Sequence, residues 1–183
     1  MYFNWQYRLS QAVTQIKLVL IGDSRVGKTS LRKRYMGEGF LGSYSATLGA
    51  DFSVKVMRGK KITIYDLAGD PSSKFLRQPY YPGTHGFILV FDITNRESFN
   101  NLEKWFDEIR SNLHLKLRVF VLGNKDDLRD SVSDPVTETE AYEYIRGLEL
   151  ELDSSISYLS TSALTGYNVA VAFNKLLTEI EFN

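Results

Sequence analysis

The chain has 183 residues, 43% of them hydrophobic, enough for one sizeable core and too few for two, so a single domain is expected. Its 22 basic and 22 acidic residues cancel, leaving no field that favours nucleic acid or an anionic membrane over other partners, and no nucleic-acid partner is expected. Cysteine is absent, which excludes disulfides, thiolate metal sites, prenylation and palmitoylation, and no stretch approaches the roughly 18 apolar residues of a membrane-crossing helix, so the expectation is a cytoplasmic monomer.

Residues 1–15 read as an extension carrying Tyr2, Phe3, Trp5, Tyr7 and Leu9 with Arg8 as its only basic residue, and 16–183 as the domain. Ile16 to Ile21 is an apolar strand that runs into Gly22-Asp23-Ser24-Arg25-Val26-Gly27-Lys28-Thr29, a G-x-x-x-x-G-K-[ST] loop followed by a helix-compatible segment. In that context the glycines let successive N–H groups face one concavity, and the helix adds its positive end, which together suit a phosphate. Lys28 adds a point charge for the outer phosphates, and the Thr29 hydroxyl a hard oxygen ligand for Mg²⁺.

From Asp51 to Leu67, two β-rich runs flank Arg58-Gly59-Lys60 and predict a hairpin that adds one antiparallel strand. Phe87 to Asp92 is the next strand. Thr94 with Glu97 has the pattern of a capping box, before a helix whose Phe99, Leu102, Trp105, Phe106 and Ile109 share a core face. After a strand at Arg118 to Gly123, Thr137 with Glu140 caps a helix running to about Leu150. A strand at Ile156 to Ser160 and a helix with Val169, Ala172, Phe173, Leu176, Leu177 and Ile180 on its core face complete the chain. The fold class is α/β: a doubly wound, mostly parallel sheet of about six strands, with one antiparallel strand and helices on both faces.

In such a sheet ligands bind outside the carboxyl ends of the strands. Four polar motifs stand there: the phosphate loop after the first strand, Asp66-Leu67-Ala68-Gly69 after the third, Asn124-Lys125-Asp126-Asp127 after the fifth, and Thr161-Ser162-Ala163 after the sixth. With these motifs the chain resembles a small GTPase of the Ras superfamily, and is most similar to the Rab family. Tyr80-Tyr81-Pro82-Gly83-Thr84-His85-Gly86, the strand after it, Glu97-Ser98-Phe99 and Trp105 carry the Rab pattern, and Thr47-Leu48-Gly49-Ala50-Asp51-Phe52 resembles its first switch. The resemblance covers about residues 15–182 and implies a P-loop, small G-protein fold that takes GTP or GDP with Mg²⁺.

The resemblance implies a role at each matching position. Asp23, Ser24, Arg25, Val26, Gly27, Lys28, Thr29 and Ser30 would cradle the phosphates. Asp127 would accept from guanine N1–H and the exocyclic amine, donors that adenine lacks, so that ATP leaves a carboxylate unpaired. Asn124 would bridge loops, Lys125 would lie along the base, and Ser162, Ala163 and Leu164 would flank its oxygen. Phe40, eleven residues beyond Thr29, is placed against the base edge, and Tyr44 beside the nucleotide. Thr29, Thr47 and Asp66 would hold the metal, Thr47 and Gly69 would contact the γ-phosphate, and loss of that phosphate would release both switch loops. Effectors, exchange factors and GTPase-activating proteins would then contact residues 41–52 and 70–82.

Several positions depart from the family. Asp70 stands where a glutamine usually orients the attacking water; a carboxylate accepts from that water but cannot also donate to the phosphoryl oxygens, so weak intrinsic hydrolysis is expected and the catalytic assignment of Asp70 is the doubtful one. Pro71, Pro79 and Pro82 stiffen the second loop, and any helix there should stop near Gln78. Arg25 replaces a small residue; an outward side chain is preferred over an arginine that reaches the phosphates in cis. Leu164 replaces a lysine near the base. The hairpin is about four residues shorter than in Rab relatives and 128–157 about ten longer, changes that bear on partner choice. His85 and His114 lack plausible zinc partners and read as structural or surface residues.

The reading is a GTP-hydrolysing molecular switch; the alternative is a constitutively GTP-bound binding or scaffold module in which hydrolysis is lost. An ATP-using P-loop kinase is disfavoured by Asn124-Lys125-x-Asp127. Contact with a membrane is open: the aromatic extension could form an interfacial anchor or pack on the domain or a partner. As for the prenylated cysteine tail usual in Rab-like proteins, either it has been removed after Glu181-Phe182-Asn183 or the protein is not anchored that way.

Overall fold

The computed structural model describes residues 15–39, 47, 49–112, 118–152 and 155–181. Phe40 and Tyr44 of the expected site, the rest of 41–46, Leu48, residues 1–14 and His114 lie outside the described residues. The strands are β1 (Gln15–Ile21), β2 (Ala50–Met57), β3 (Lys60–Leu67), β4 (Gly86–Asp92), β5 (Arg118–Asn124) and β6 (Ser155–Ser160). They form one sheet in the order β2-β3-β1-β4-β5-β6, parallel throughout except for the β2–β3 hairpin. Arg58 and Gly59 turn that hairpin at φ 51° and 76°, the doubly left-handed geometry that matches strand twist. Gln15, the last residue of the expected extension, already pairs with Lys61 in β1.

The helices are α1 (Lys28–Met36), α2 (Lys74–Arg77), α3 (Arg96–Asn100), α4 (Leu102–Asn112), α5 (Glu138–Leu152) and α6 (Val169–Glu181). Alternation along β1 sorts the core into two layers. Ile16, Leu18 and Leu20 face Leu31 and Tyr35 of α1 and Phe173 and Leu176 of α6, while Val19 and Ile21 face the layer that holds Trp105, Phe106 and Ile109 of α4 and Ala141 and Ile145 of α5. Both layers are nearly solvent-free, as a parallel sheet covered on two faces requires.

Two local expectations meet different outcomes. Thr137 caps α5 as expected, its Oγ1 accepting from Glu140 N–H at 3.1 Å. The cap of α3 is Asn95 instead of Thr94: Asn95 Oδ1 accepts from the N–H groups of Glu97 and Ser98, while the Thr94 hydroxyl donates to Asp92 Oδ1. Both residue types cap well, and the side chain of Asp92 at the end of β4 competes for Thr94. In the second loop, α2 ends at Arg77 and a single 3-10 turn containing Pro79 follows, where proline chemistry placed the stop.

Candidate functional site

The parallel strands all deliver their carboxyl ends to one edge, and the loops there meet. Gly27 precedes α1 at φ 99°, a left-handed geometry that favours glycine, and a Cβ there would lie 2.2 Å from Asn124 Nδ2. The free N–H groups of the first turn of α1 open onto this loop. Lys28 is buried, and its ammonium spans the loop mouth, donating to Gly22 O and Asp23 O at 2.7 Å each. Burial pulls its pKa down to about 8 against the pull of Asp66 and Asp23. Val26 is buried, Ser30 half-buried on α1, and Ser24 exposed. Arg25 is exposed at φ 66°, in the left-handed region that a residue with a Cβ adopts at a cost.

Beside Lys28 the three expected metal ligands touch. Thr29 Oγ1 donates to Asp66 Oδ2 at 2.5 Å and lies 3.2 Å from Thr47 Oγ1. Asp66 is fully buried, and its Oδ1 has no hydrogen-bond partner. Burial pushes its pKa up, opposed by Thr29, Lys28 and Arg32. A buried carboxylate oxygen left unpaired beside two hydroxyls is a hard-oxygen set that fits Mg²⁺ or its water.

At the opposite end of the loop, Asn124 ties two motifs together: its Nδ2 donates to Val26 O at 2.8 Å and its Oδ1 accepts from Ala163 N–H at 3.1 Å. The Ser162 hydroxyl donates to Oδ1 of the exposed Asp127. Lys125, at φ 70°, pairs with Asp92 Oδ2 at 2.5 Å. Leu164 is about half exposed and carries its carbonyl, not its side chain, into the network.

The second loop behaves differently. A Cβ on Gly69 would stand 2.5 Å from Lys28 Nζ and from Ser24 N, so this glycine packs directly on the phosphate loop. Asp70, however, is turned into its own chain: its Oδ1 accepts from Ser72 N–H at 2.8 Å and from the Ser72 hydroxyl at 2.5 Å, capping the 3-10 turn Pro71–Ser73. The Ser72 bonds hold its carboxyl below the usual range.

A sequence profile of the Ras family matches residues 17–182, nearly the whole domain. The chain belongs to the Ras family. It is similar to the Ras-related protein RIC1 of rice, at 37% identity over 169 residues that span 90% of this chain and 80% of that protein. It is 38% identical to the GTP-binding protein YPTM1 of maize over 86% of this chain and 74% of that one. It is 34% identical to the Ras-related protein Rab-11B of Dictyostelium discoideum over 91% and 74%. Membership carries the family's general character, a GTP-binding switch that takes guanine nucleotide and Mg²⁺, hydrolyses GTP, and works through regulators and effectors.

In this Ras-family chain several contacts that shape the site gave no signal in the sequence. The Asp23 side chain accepts from Trp105 Nε1 at 2.7 Å and Asn101 Nδ2 at 2.8 Å, so the phosphate loop is bolted to α4. Arg34 Nε donates to Ala163 O at 2.8 Å and one of its terminal nitrogens to Leu164 O, bracing the base loop from α1. Arg77 and Glu108 form a buried pair under the second loop. Trp105 was legible as part of the Rab pattern and, with Phe106, as a core stripe, but its bond to Asp23 was not, because spacing reports which face a side chain shares and not which loop it meets. Among the described residues no helix is long and apolar enough to cross a membrane.

Proposed function

We propose that this chain is a guanine-nucleotide switch with slow intrinsic GTP hydrolysis. In this reading Lys28 and the loop 23–30 hold the phosphates. Thr29, Thr47 and Asp66 hold Mg²⁺, which would neutralise charge between the outer phosphates. Asn124, Lys125, Asp127, Ser162 and Ala163 read the base, Leu164 contributing backbone alone. The touching Thr29, Thr47 and Asp66 oxygens and the Asn124 bridge support this assignment.

The observation that carries slow hydrolysis is the capture of Asp70 by Ser72. A carboxylate engaged on its own turn neither orients a water nor donates to a phosphoryl oxygen, and a group of that kind contributes on the order of 10²- to 10⁴-fold. Partners would dock on 41–52 and 70–82. The exposed Phe52 on β2 and Phe75 and Leu76 on α2 supply apolar surface there, Val54 and Val56 continue it along β2, and Phe52, Tyr65 and Tyr80 are in ring contact.

The test is to denature the freshly purified protein and identify its bound nucleotide, then to compare turnover of the wild type and Asp70→Gln. Mostly GTP, with turnover rising at least about tenfold in the variant, is expected. Mostly GDP with unchanged turnover would sink the slow-hydrolysis reading. GTP that persists in both proteins would favour the constitutively bound module.

A further inference from the structure

Arg77 closes α2 with its side chain 1% exposed, and it uses the whole guanidinium fork. Nε and one terminal nitrogen donate to the two oxygens of Glu108 on α4, at 2.8 and 2.7 Å. The other terminal nitrogen donates to Ala68 O at 3.0 Å and to Asp70 O at 2.6 Å. The face of the fork lies 4.6 Å from the Trp105 ring centroid, and the Trp105 indole holds Asp23 of the phosphate loop. Tyr81 donates its hydroxyl to Glu108 Oε1, completing the pair from the far end of the loop. One side chain therefore grips the carbonyls on both sides of Gly69, and its support is shared with the loop that Gly69 touches.

The consequence follows from peptide geometry. Ala68 C=O and Gly69 N–H belong to one planar trans unit and point in opposite directions. With the carbonyl on Arg77, the N–H is aimed away from the guanidinium; Ala68 N–H, bonded to Gly49 O at 2.8 Å, fixes the preceding unit. A Cβ on Gly69 would collide with Lys28 Nζ and Ser24 N, so its Cα faces the phosphate loop on the side where an outer phosphate would sit. We infer that Arg77 is a positioning residue that presets the Gly69 N–H for the third phosphate, so that it sets the preference of the site for GTP over GDP. This rests on the guanine-nucleotide reading above. A preset donor meets the γ-phosphate without the cost of ordering its loop, while GDP, which has no oxygen there, gains nothing from it.

The test measures affinities of the intact chain for GDP and for a non-hydrolysable GTP analogue, in wild type, Arg77→Lys and Glu108→Gln. Lysine keeps the charge but loses the fork; glutamine keeps the arginine on both carbonyls while weakening the buried pair. Arg77→Lys is expected to lose about 10- to 100-fold in analogue affinity, the value of one charge-assisted hydrogen bond, with GDP affinity changed less than about threefold. Glu108→Gln should lower stability yet leave the ratio of the two affinities within about threefold. Equal loss of both ligands in Arg77→Lys, or an unchanged ratio, would overturn the positioning role and reduce Arg77 to a fold-stabilising residue. A wild type that binds neither ligand would overturn the nucleotide reading itself, a result distinct from wild-type binding with an indifferent Arg77. If Arg77→Lys does not fold, amide exchange on the wild type decides. The amides of Ser73 and Tyr81 should exchange within about threefold of each other's rate in the GDP and analogue complexes, and a slowing of tenfold or more by the analogue would overturn a preset loop.

Discussion

The two ends of the site are built by different means. At the base end the motif residues mainly hold one another, with Arg34 of α1 as an added brace: Asn124 joins Val26 to Ala163, Ser162 donates to Asp127, and Arg34 donates to the carbonyls of Ala163 and Leu164. At the second loop the motif residues Ala68, Gly69 and Asp70 are held from outside, by a buried arginine whose partner lies 31 positions away on α4. The base-end residues come from three short motifs whose bonds span 35, 39 and 98 positions, each motif legible by itself. A loop held from below can change its surface residues, as Asp70 and Pro71 have, while its backbone stays in register.

That contrast can be broken most forcefully from below. Glu108→Ala leaves the Arg77 guanidinium buried without its counter-charge and is expected to cost about 3–5 kcal/mol, read by chemical denaturation, because an uncompensated buried charge outweighs a lost surface contact. A loss below about 1 kcal/mol would mean that the second loop is not held this way. Asn124→Ala removes both bonds at the base end and should cost about 1–3 kcal/mol, expressed mainly as faster release of guanine nucleotide, since Val26 O and Ala163 N–H are left without that partner. If release is unchanged, the base end does not depend on its internal bridge.

The smallest effect sharpens the comparison at the foot of the sheet. His85 Nδ1 accepts from Lys17 N–H at 3.0 Å, and burial, with Lys17 and Arg118 nearby, holds the His85 pKa below the ordinary value. The folded state therefore resists protonation, so the contribution of His85 is fully present above the unfolded pKa of about 6.5 and is lost as pH falls below it. Between pH 7.5 and 5.5 the wild type should lose more thermal stability than His85→Gln, by at most about 2 °C in Tm. Equal losses would remove His85 as the titrating group.

The sequence carried the strand positions within a residue or two, because alternation, apolar runs and glycine turns are local signals: the hairpin turn at Arg58-Gly59, the Thr137 cap and the α2 stop before Pro79 were all legible. The cap at Thr94 was misplaced by one residue, since local pattern cannot weigh the competing acceptor on Asp92. Asp70 was recognisable as a departure, yet its capture by Ser72 depends on the actual turn geometry at Pro71.

Apart from the break at Asn101 that divides one expected helix into α3 and α4, element order, the two core stripes and the four motifs at strand ends were determined by the sequence alone, because periodicity and turn chemistry act over a few residues. Tertiary structure alone decided that Trp105 reaches Asp23 across 82 positions, that Arg34 braces the base loop across 129, and that Arg77 grips both neighbours of Gly69. Those contacts exist only once the sheet has brought distant loops to one edge, and no spacing along the chain encodes the distance between two side chains in space.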